Sequence, residues 1–205
     1  RVPEIVEDTM QKFGQLTGRS YKLFGYYGHP QAERIIIIMG SGYGPVQEVT
    51  DYLNAKGEKV GYLNVHLYRP FSVKHFIDAI PATVQKIAVL DRCKEPGAIG
   101  EPLYMDVISA LHTSWQHAMP KVTGGRYGLA SKEFNAGMAK AVFDEMKKEK
   151  PKNNFTIGIE DDVTHTSLDW DKNFSLEEQH LFRGLFFGLG ADGTVSANKN
   201  TIKII

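Results

Sequence analysis

The sequence predicts an α/β protein. The expected form is a three-layer sandwich, with a mostly parallel sheet of about five strands between helices, plus an incomplete second domain. Three observations lead there. Apolar strand-like runs alternate with helix-period segments from Arg34 to Ile159. The first run, RIIIIM at Arg34–Met39, is apolar and β-branched almost throughout, as in a strand buried on both faces. After Ile159 the alternation stops, and the acidic, aperiodic EDDVTHTSLDWDKN (160–173) leads into a short aromatic-rich remainder.

Residues 3–17 form the first expected helix. Pro3 suits its first turn, Val6, Met10, Phe13 and Leu16 keep a helical stripe, and Gly18 stops it. YKLFGYYGHPQ (21–31) is rich in turn formers and is read as an irregular connector. After the strand at 34–39, GSGYGP turns the chain, and Pro45 opens a helix with Val46, Val49 and Leu53 that Gly57 closes. Lys59–Tyr68 is the second strand, and a helix with Phe76, Ile77 and Ile80 follows Ser72. Lys86–Asp91 is the third strand, followed by a helix bearing Leu103, Val107 and Leu111. KVTGG (121–125) is a short fourth strand. Ser131 is expected to cap a long helix carrying Phe134, Met138, Val142 and Met146. Asn154–Ile159 is the fifth strand, and right-handed crossovers are expected throughout.

Beyond the linker (161–180), SLEE at 175–178 matches a capping box, but the aromatic run after it points to a strand instead. LFRGLFF (181–187) is read as that sixth strand, breaking into a glycine turn and a helix. The expected division is therefore a helix at 1–20 trailing from a preceding domain, a main domain at 21–160, a linker, and the start of another domain at 181–205. The absence of an initial methionine and the unfinished last unit read as a piece of something longer.

Lys plus Arg and Asp plus Glu balance at 24 each, so net charge gives no push toward nucleic acid or a membrane surface. No apolar run approaches the roughly 20 residues that span a bilayer. The single cysteine, Cys93, excludes an internal disulfide, a multi-cysteine zinc site and an iron–sulfur cluster within the chain. No histidine adjoins it in sequence, so a buried or incidental thiol is the plainer reading than a nucleophile. The seven histidines are scattered without metal-ligand spacing, so neither a catalytic nor a metal site is expected.

Two glycine turns stand between a strand and a helix. GSGYG (40–44) either cradles an anion at a helix N-terminus or merely turns the chain. GLGADG (188–193) fits G-x-G-x-x-G, but the second strand and acidic residue of a dinucleotide fingerprint are not in the sequence. Its glycines Gly188, Gly190 and Gly193, with Thr194, Asn198 and Lys199, are candidates for contact with a phosphate. DRCKEPGAIGE (91–101) follows the third strand, where ligands of parallel sheets bind. Arg92, Lys94 and Glu95, and Arg126 after the fourth strand, either meet a ligand or neighbouring domain or form ordinary polar loops.

Taken in order, YKLFGYYGHPQAERIIIIMGSG, DYLNAKGEKVGYLNVHLYRPFS, IAVLDRCKEPGAIGEPLYMDV, GGRYGLASKEF and DDVTHTSL resemble the middle of the pyruvate:ferredoxin (flavodoxin) oxidoreductases. GLGADGTVSANKNTIKII looks like the opening of the next domain of the same enzymes. The resemblance implies a main domain like the transketolase C-terminal domain, which buttresses the thiamine-binding domains and helps form a homodimer. It implies an enzyme that oxidatively decarboxylates pyruvate with coenzyme A to acetyl-CoA and CO2. Thiamine diphosphate, Mg2+ and iron–sulfur clusters would be held elsewhere, and ferredoxin or flavodoxin would take the electrons. Asn198 and Lys199 would lie near the coenzyme A phosphates, above the Gly188–Gly193 turn. Ser196 departs from the glycine expected there, which matters if that position needs a left-handed backbone. The implied location is the cytoplasm, or an anaerobic organelle in a eukaryote, with no nucleic-acid or membrane partner. The piece alone is expected to show no turnover. Two alternatives stay open: the same core fused to an NADP-reducing acceptor domain, and a non-catalytic assembly module.

Overall fold

The computed structural model describes residues 1–176, 184–188 and 193–204. Six α-helices and seven strands follow in the order α1 (Val2–Thr17), β1 (Phe24–Gly28), β2 (Arg34–Met39), α2 (Tyr43–Ala55), β3 (Val60–Val65), α3 (Val73–Ala79), β4 (Lys86–Asp91), α4 (Pro102–Ser114), β5 (Lys121–Tyr127), α5 (Ala136–Lys147), β6 (Phe155–Ile157), β7 (Ser167–Leu168) and α6 (Thr194–Ile204). The strands form one sheet in the order β1-β3-β2-β4-β5-β6-β7. Among the described strands only β1 runs antiparallel to its neighbour.

The alternation of side chains along β2 shows why its apolar run has no polar face. Ile36 and Ile38 pack with α2 and α5, whereas Ile35 and Ile37 pack with α3 and α4. Ala88 and Leu90 on β4 join the first layer, and Ile87 and Val89 the second. The result is a helix–sheet–helix sandwich. Val6 and Met10 of α1 lean on the second layer, but α1 buries no residue fully.

The sheet has seven strands where about five were expected, and both additions lie at its edges. β1 occupies the stretch read as a connector. Its glycines mask it in sequence yet belong to the pairing: Gly28 has φ 129°, and a Cβ there would lie 2.5 Å from the Gly61 Cα on β3. β7 has two residues and falls inside the expected linker. Side-chain bonds fix it, with the Ser167 and Thr156 hydroxyls 2.9 Å apart and the Ser167 hydroxyl accepting from the Asp161 amide at 2.8 Å.

The cap of α5 also differs from expectation. Asn135, not Ser131, closes the N-terminus, its side-chain oxygen accepting from the Met138 amide at 3.1 Å. Ser131 has φ 61° and ends a short 3-10 turn, so its backbone cannot lead directly into an α-helix. Of the expected strand at 181–187, residues 181–183 lie outside the described residues, and 184–187 are in no strand. Glu178 of the capping-box match is also outside them.

One crossover breaks the expected handedness. α2 leads from β2 to β3 on one face; α3 and α4 lead in the opposite direction on the other face. Reversing both direction and face preserves the hand, so these three share one, the right hand by general rule. α5 leads from β5 to β6 in the direction of α3 and α4 but lies on the face of α2. Its crossover therefore has the opposite hand. The face above β2 and β4 needs a second helix, and α5 reaches back to provide it with Met138, Val142, Phe143 and Met146.

Cations hold that placement. The first residues of β2, β4 and β5 are Arg34, Lys86 and Lys121. Arg34 donates to the Phe143 carbonyl at 3.2 Å, Lys86 to Met146 at 2.7 Å and Lys148 at 3.0 Å, and Lys121 to Glu149 at 2.9 Å. The Met146 carbonyl is one that the helix end leaves without an intrahelical partner, and the cations oppose the negative dipole end.

Candidate functional site

β2 has β3 on one side and β4 on the other, so the chain reverses its direction across the sheet there. The crevice beyond the carboxyl ends of such strands is the usual ligand site of an open parallel sheet. Here Tyr127, at the end of β5, lies across it. Its ring is buried, its hydroxyl donates to the Met39 carbonyl at 3.2 Å, and burial pushes its phenol up to about 12. A Cβ on Gly42 would sit 2.6 Å from that hydroxyl. The GSGYG turn thus gives Tyr127 room to pack, and the turning role is the one the geometry displays.

The loop after β4 is organised by two buried carboxylates. Asp91, 1% exposed, accepts from the amides of Leu103 at 3.0 Å and Tyr104 at 3.1 Å, so a strand residue caps α4. Burial raises its carboxyl above the ordinary value, against the lowering effect of those two bonds. Glu101 accepts from the Glu95 amide at 2.6 Å and pairs with Arg126 at 3.0 Å. Arg92 donates to the Gly128 carbonyl at 3.2 Å. Arg92, Glu95 and Arg126 therefore tie loops together, while Lys94 is exposed. Cys93 lies 3.9 Å from the Asp91 carboxylate. Burial, then that charge, raises its thiol, the reverse of what activates a nucleophile.

In the last segment some of the candidate phosphate contacts lie near one another. Asn198 donates from its side chain to the Phe187 carbonyl at 2.9 Å, folding 184–188 back onto α6. A Cβ on Gly188 would meet the Thr194 hydroxyl at 3.2 Å and Val195 at 3.3 Å, so the chain passes close over the first turn of α6. Gly193 opens that helix, its carbonyl accepting from the Ala197 amide at 3.2 Å. Gly190 lies outside the described residues. Lys199 follows Asn198 on the helix and is exposed, as is every described residue from 184 onward except Asn198. Ser196 is inside α6 and is not among the residues with positive φ, so serine there meets no left-handed requirement. Gly188, Thr194 and Asn198 are thus brought together around a helix N-terminus.

No local sequence pattern marks Asp91 as the cap of α4 or Tyr127 as the residue that closes the crevice. Both depend on partners far along the chain; only the position of each at the carboxyl end of a strand pointed to them. Among the described residues no group of three or more His, Cys, Asp or Glu is placed to hold a metal ion. Among the same residues no helix is long and apolar enough to cross a membrane.

Comparison with known proteins returns a match of residues 32–135 to the family model of pyruvate:ferredoxin oxidoreductase core domain II. The chain is 60% identical over 204 residues to a pyruvate-flavodoxin oxidoreductase of Trichormus variabilis, covering 99% of this chain and 17% of that protein. It is 55% identical over 203 residues to a pyruvate:ferredoxin oxidoreductase of Moorella thermoacetica, again 99% of this chain and 17% of the relative. Among solved structures, a 2-oxoglutarate:ferredoxin oxidoreductase from Magnetococcus marinus, with 2-oxoglutarate, coenzyme A and succinyl-CoA bound, is similar at TM-score 0.43 and 23% identity. That likeness covers 67% of this chain and 22% of the other.

Proposed function

The chain belongs to the pyruvate:ferredoxin oxidoreductase family, and on that premise we propose that it is an organising part of an enzyme that oxidatively decarboxylates pyruvate with coenzyme A. In this reading acetyl-CoA and CO2 leave, and ferredoxin or flavodoxin takes the electrons. The observation that carries it is the alignment: 99% of the chain matches, yet this is 17% of the relative's length.

Most of the chemistry then belongs to other parts of the polypeptide. With one cysteine, this chain cannot by itself supply the thiolates of a four-cysteine iron–sulfur cluster. Gly188, Thr194 and Asn198, with Lys199 beside them, are the residues that would meet coenzyme A. The close passage at Gly188, the amides that open α6 and the exposed Lys199 would meet its phosphates. The sandwich would buttress the neighbouring domains and contribute to a homodimer in the cytoplasm. Acceptor names favour ferredoxin or flavodoxin over a fused NADP-reducing domain, because the relatives are named for those two carriers.

The test is isolation of the native polypeptide from source cells, with intact mass, peptide mapping and cofactor analysis. The expected result is a chain about six times this length, with thiamine diphosphate, iron and pyruvate-dependent electron transfer. A native product of this length without cofactors would instead make it a free-standing assembly module.

A further inference from the structure

Asn64, on β3, is 7% exposed, and its side-chain oxygen has no hydrogen-bond partner among the described residues. Its side-chain nitrogen lies 3.2 Å from Nε2 of His66. Nδ1 of His66 lies 2.7 Å from the backbone carbonyl of Lys22, in the connector between α1 and β1. The ring is exposed, with the Tyr21 ring edge-on at 5.6 Å between centroids. A Cβ on Gly25 of β1 would be 3.1 Å from its Cε1, so the ring is wedged against the edge strand.

Hydrogen-bond logic fixes the proton positions. A carbonyl only accepts, so Nδ1 carries a proton whether His66 is neutral or charged. The second proton of the charged ring must therefore sit on Nε2. When the ring is neutral, Nε2 is an acceptor and takes a bond from the Asn64 amino group, leaving the Asn64 oxygen unpaired. When the ring is charged, Nε2 becomes a donor and opposes that amino group. Turning the carboxamide by half a revolution then presents the oxygen and makes a charge-assisted bond.

We propose that Asn64 and His66 form a proton-driven amide switch at the carboxyl end of β3. Neutral His66 leaves a buried oxygen at Asn64, and charged His66 leaves a buried amino group. The bond to Lys22 persists in both states and gains charge assistance in the second, so acidification tightens the link between the α1 connector and the sheet. The groups facing the ring are Tyr21 and the Lys22 carbonyl from the connector, Gly25 from β1 and Asn64 from β3.

The test is a titration of the isotope-labelled 205-residue chain from about pH 8 to about pH 5, spanning the ordinary histidine range. Long-range proton–nitrogen correlations report the His66 tautomer, and the side-chain amide signals report Asn64. Nδ1–H is expected at the alkaline end, and the Asn64 amide signals should shift with the same midpoint as His66. In His66→Gln the Asn64 shift should vanish, while in His75→Asn it should remain. An Nε2–H tautomer at the alkaline end, or Asn64 signals that stay constant while His66 titrates, overturns the proposal. Both readings come from the wild-type chain, so they stand even if a variant does not fold.

Discussion

The ammonium of Lys86 lies 2.7 Å from the carbonyl oxygen of Met146, joining the first residue of β4 to the last turn of α5. The two are 60 positions apart in the chain, and the bond fixes a helix whose crossover runs against the usual hand. Lys86→Met should keep the apolar stem but lose the ammonium's bonds to the Met146, Lys147 and Lys148 carbonyls. A loss of about 1–2 kcal/mol in urea unfolding is expected, with Lys86→Arg recovering part of it. An unchanged urea midpoint for Lys86→Met would show that apolar packing alone holds α5.

Gly42 and Tyr127 should be coupled. Gly42→Ala places a methyl 2.6 Å from the tyrosine hydroxyl and 2.8 Å from Cδ1 of Ile38. Overpacking of this kind costs about 1–3 kcal/mol. Tyr127→Phe removes the nearest of those atoms, so the double variant should be more stable than the two single losses predict. A double-mutant cycle measures this; strict additivity would mean that the turn relaxes without contact.

Two carboxylates should respond to pH in opposite senses. Burial disfavours charge on Glu58, but its bonds to Lys147 and Arg34 outweigh this and lower its carboxyl below the ordinary value. Its stabilising effect is therefore full above the unfolded value and fades as pH falls through the lower folded one. Glu58→Gln should cost about 1 kcal/mol near neutrality, with the difference shrinking in acid. For Asp91 burial dominates and raises the carboxyl. The charged form is the costly one, so that contribution to stability is lost as pH rises from the unfolded value through the raised folded value. Asp91→Asn gives up one of two amide bonds and should be most damaging at low pH, with the gap narrowing toward neutrality. Unfolding curves for both variants across the acid range decide the matter, and parallel pH dependences would contradict these assignments.

The last segment should contribute little to the stability of the body. α6 buries none of its residues, and Leu185, Phe187 and Ile204 are about 80% exposed or more. A chain ending at Leu176 should unfold within about 0.5 kcal/mol of the full chain while binding less hydrophobic dye. A clear drop in the urea midpoint would show that residues 177–205 contribute to the stability of the body.

Much of the sandwich was legible because burial on two faces leaves an unmistakable run such as Arg34–Met39. The edges were not. β1 pairs on one side, so glycines and tyrosines suffice there, and β7 is fixed by hydroxyls instead of periodicity. The path of α5 was hidden for another reason: periodicity shows that a helix has an apolar face, not which strands it covers. The candidate phosphate contacts rest on a spacing of glycines, one of which, Gly190, lies outside the described residues. The role of Asp91 was not, since a capping carboxylate that comes from the preceding strand lies outside any local capping pattern.

The backward reach of α5 has a consequence for synthesis. Arg34 and Phe143, which it joins, are 109 positions apart. At about 5–20 residues per second, a ribosome takes roughly 5–20 s to cover that interval. During it Ile36 and Ile38, and later Ala88 and Leu90, stand without the second helix that will cover them. The nascent chain therefore carries a sticky half-finished face, and the moment of risk ends only when the residues up to Met146 have left the tunnel.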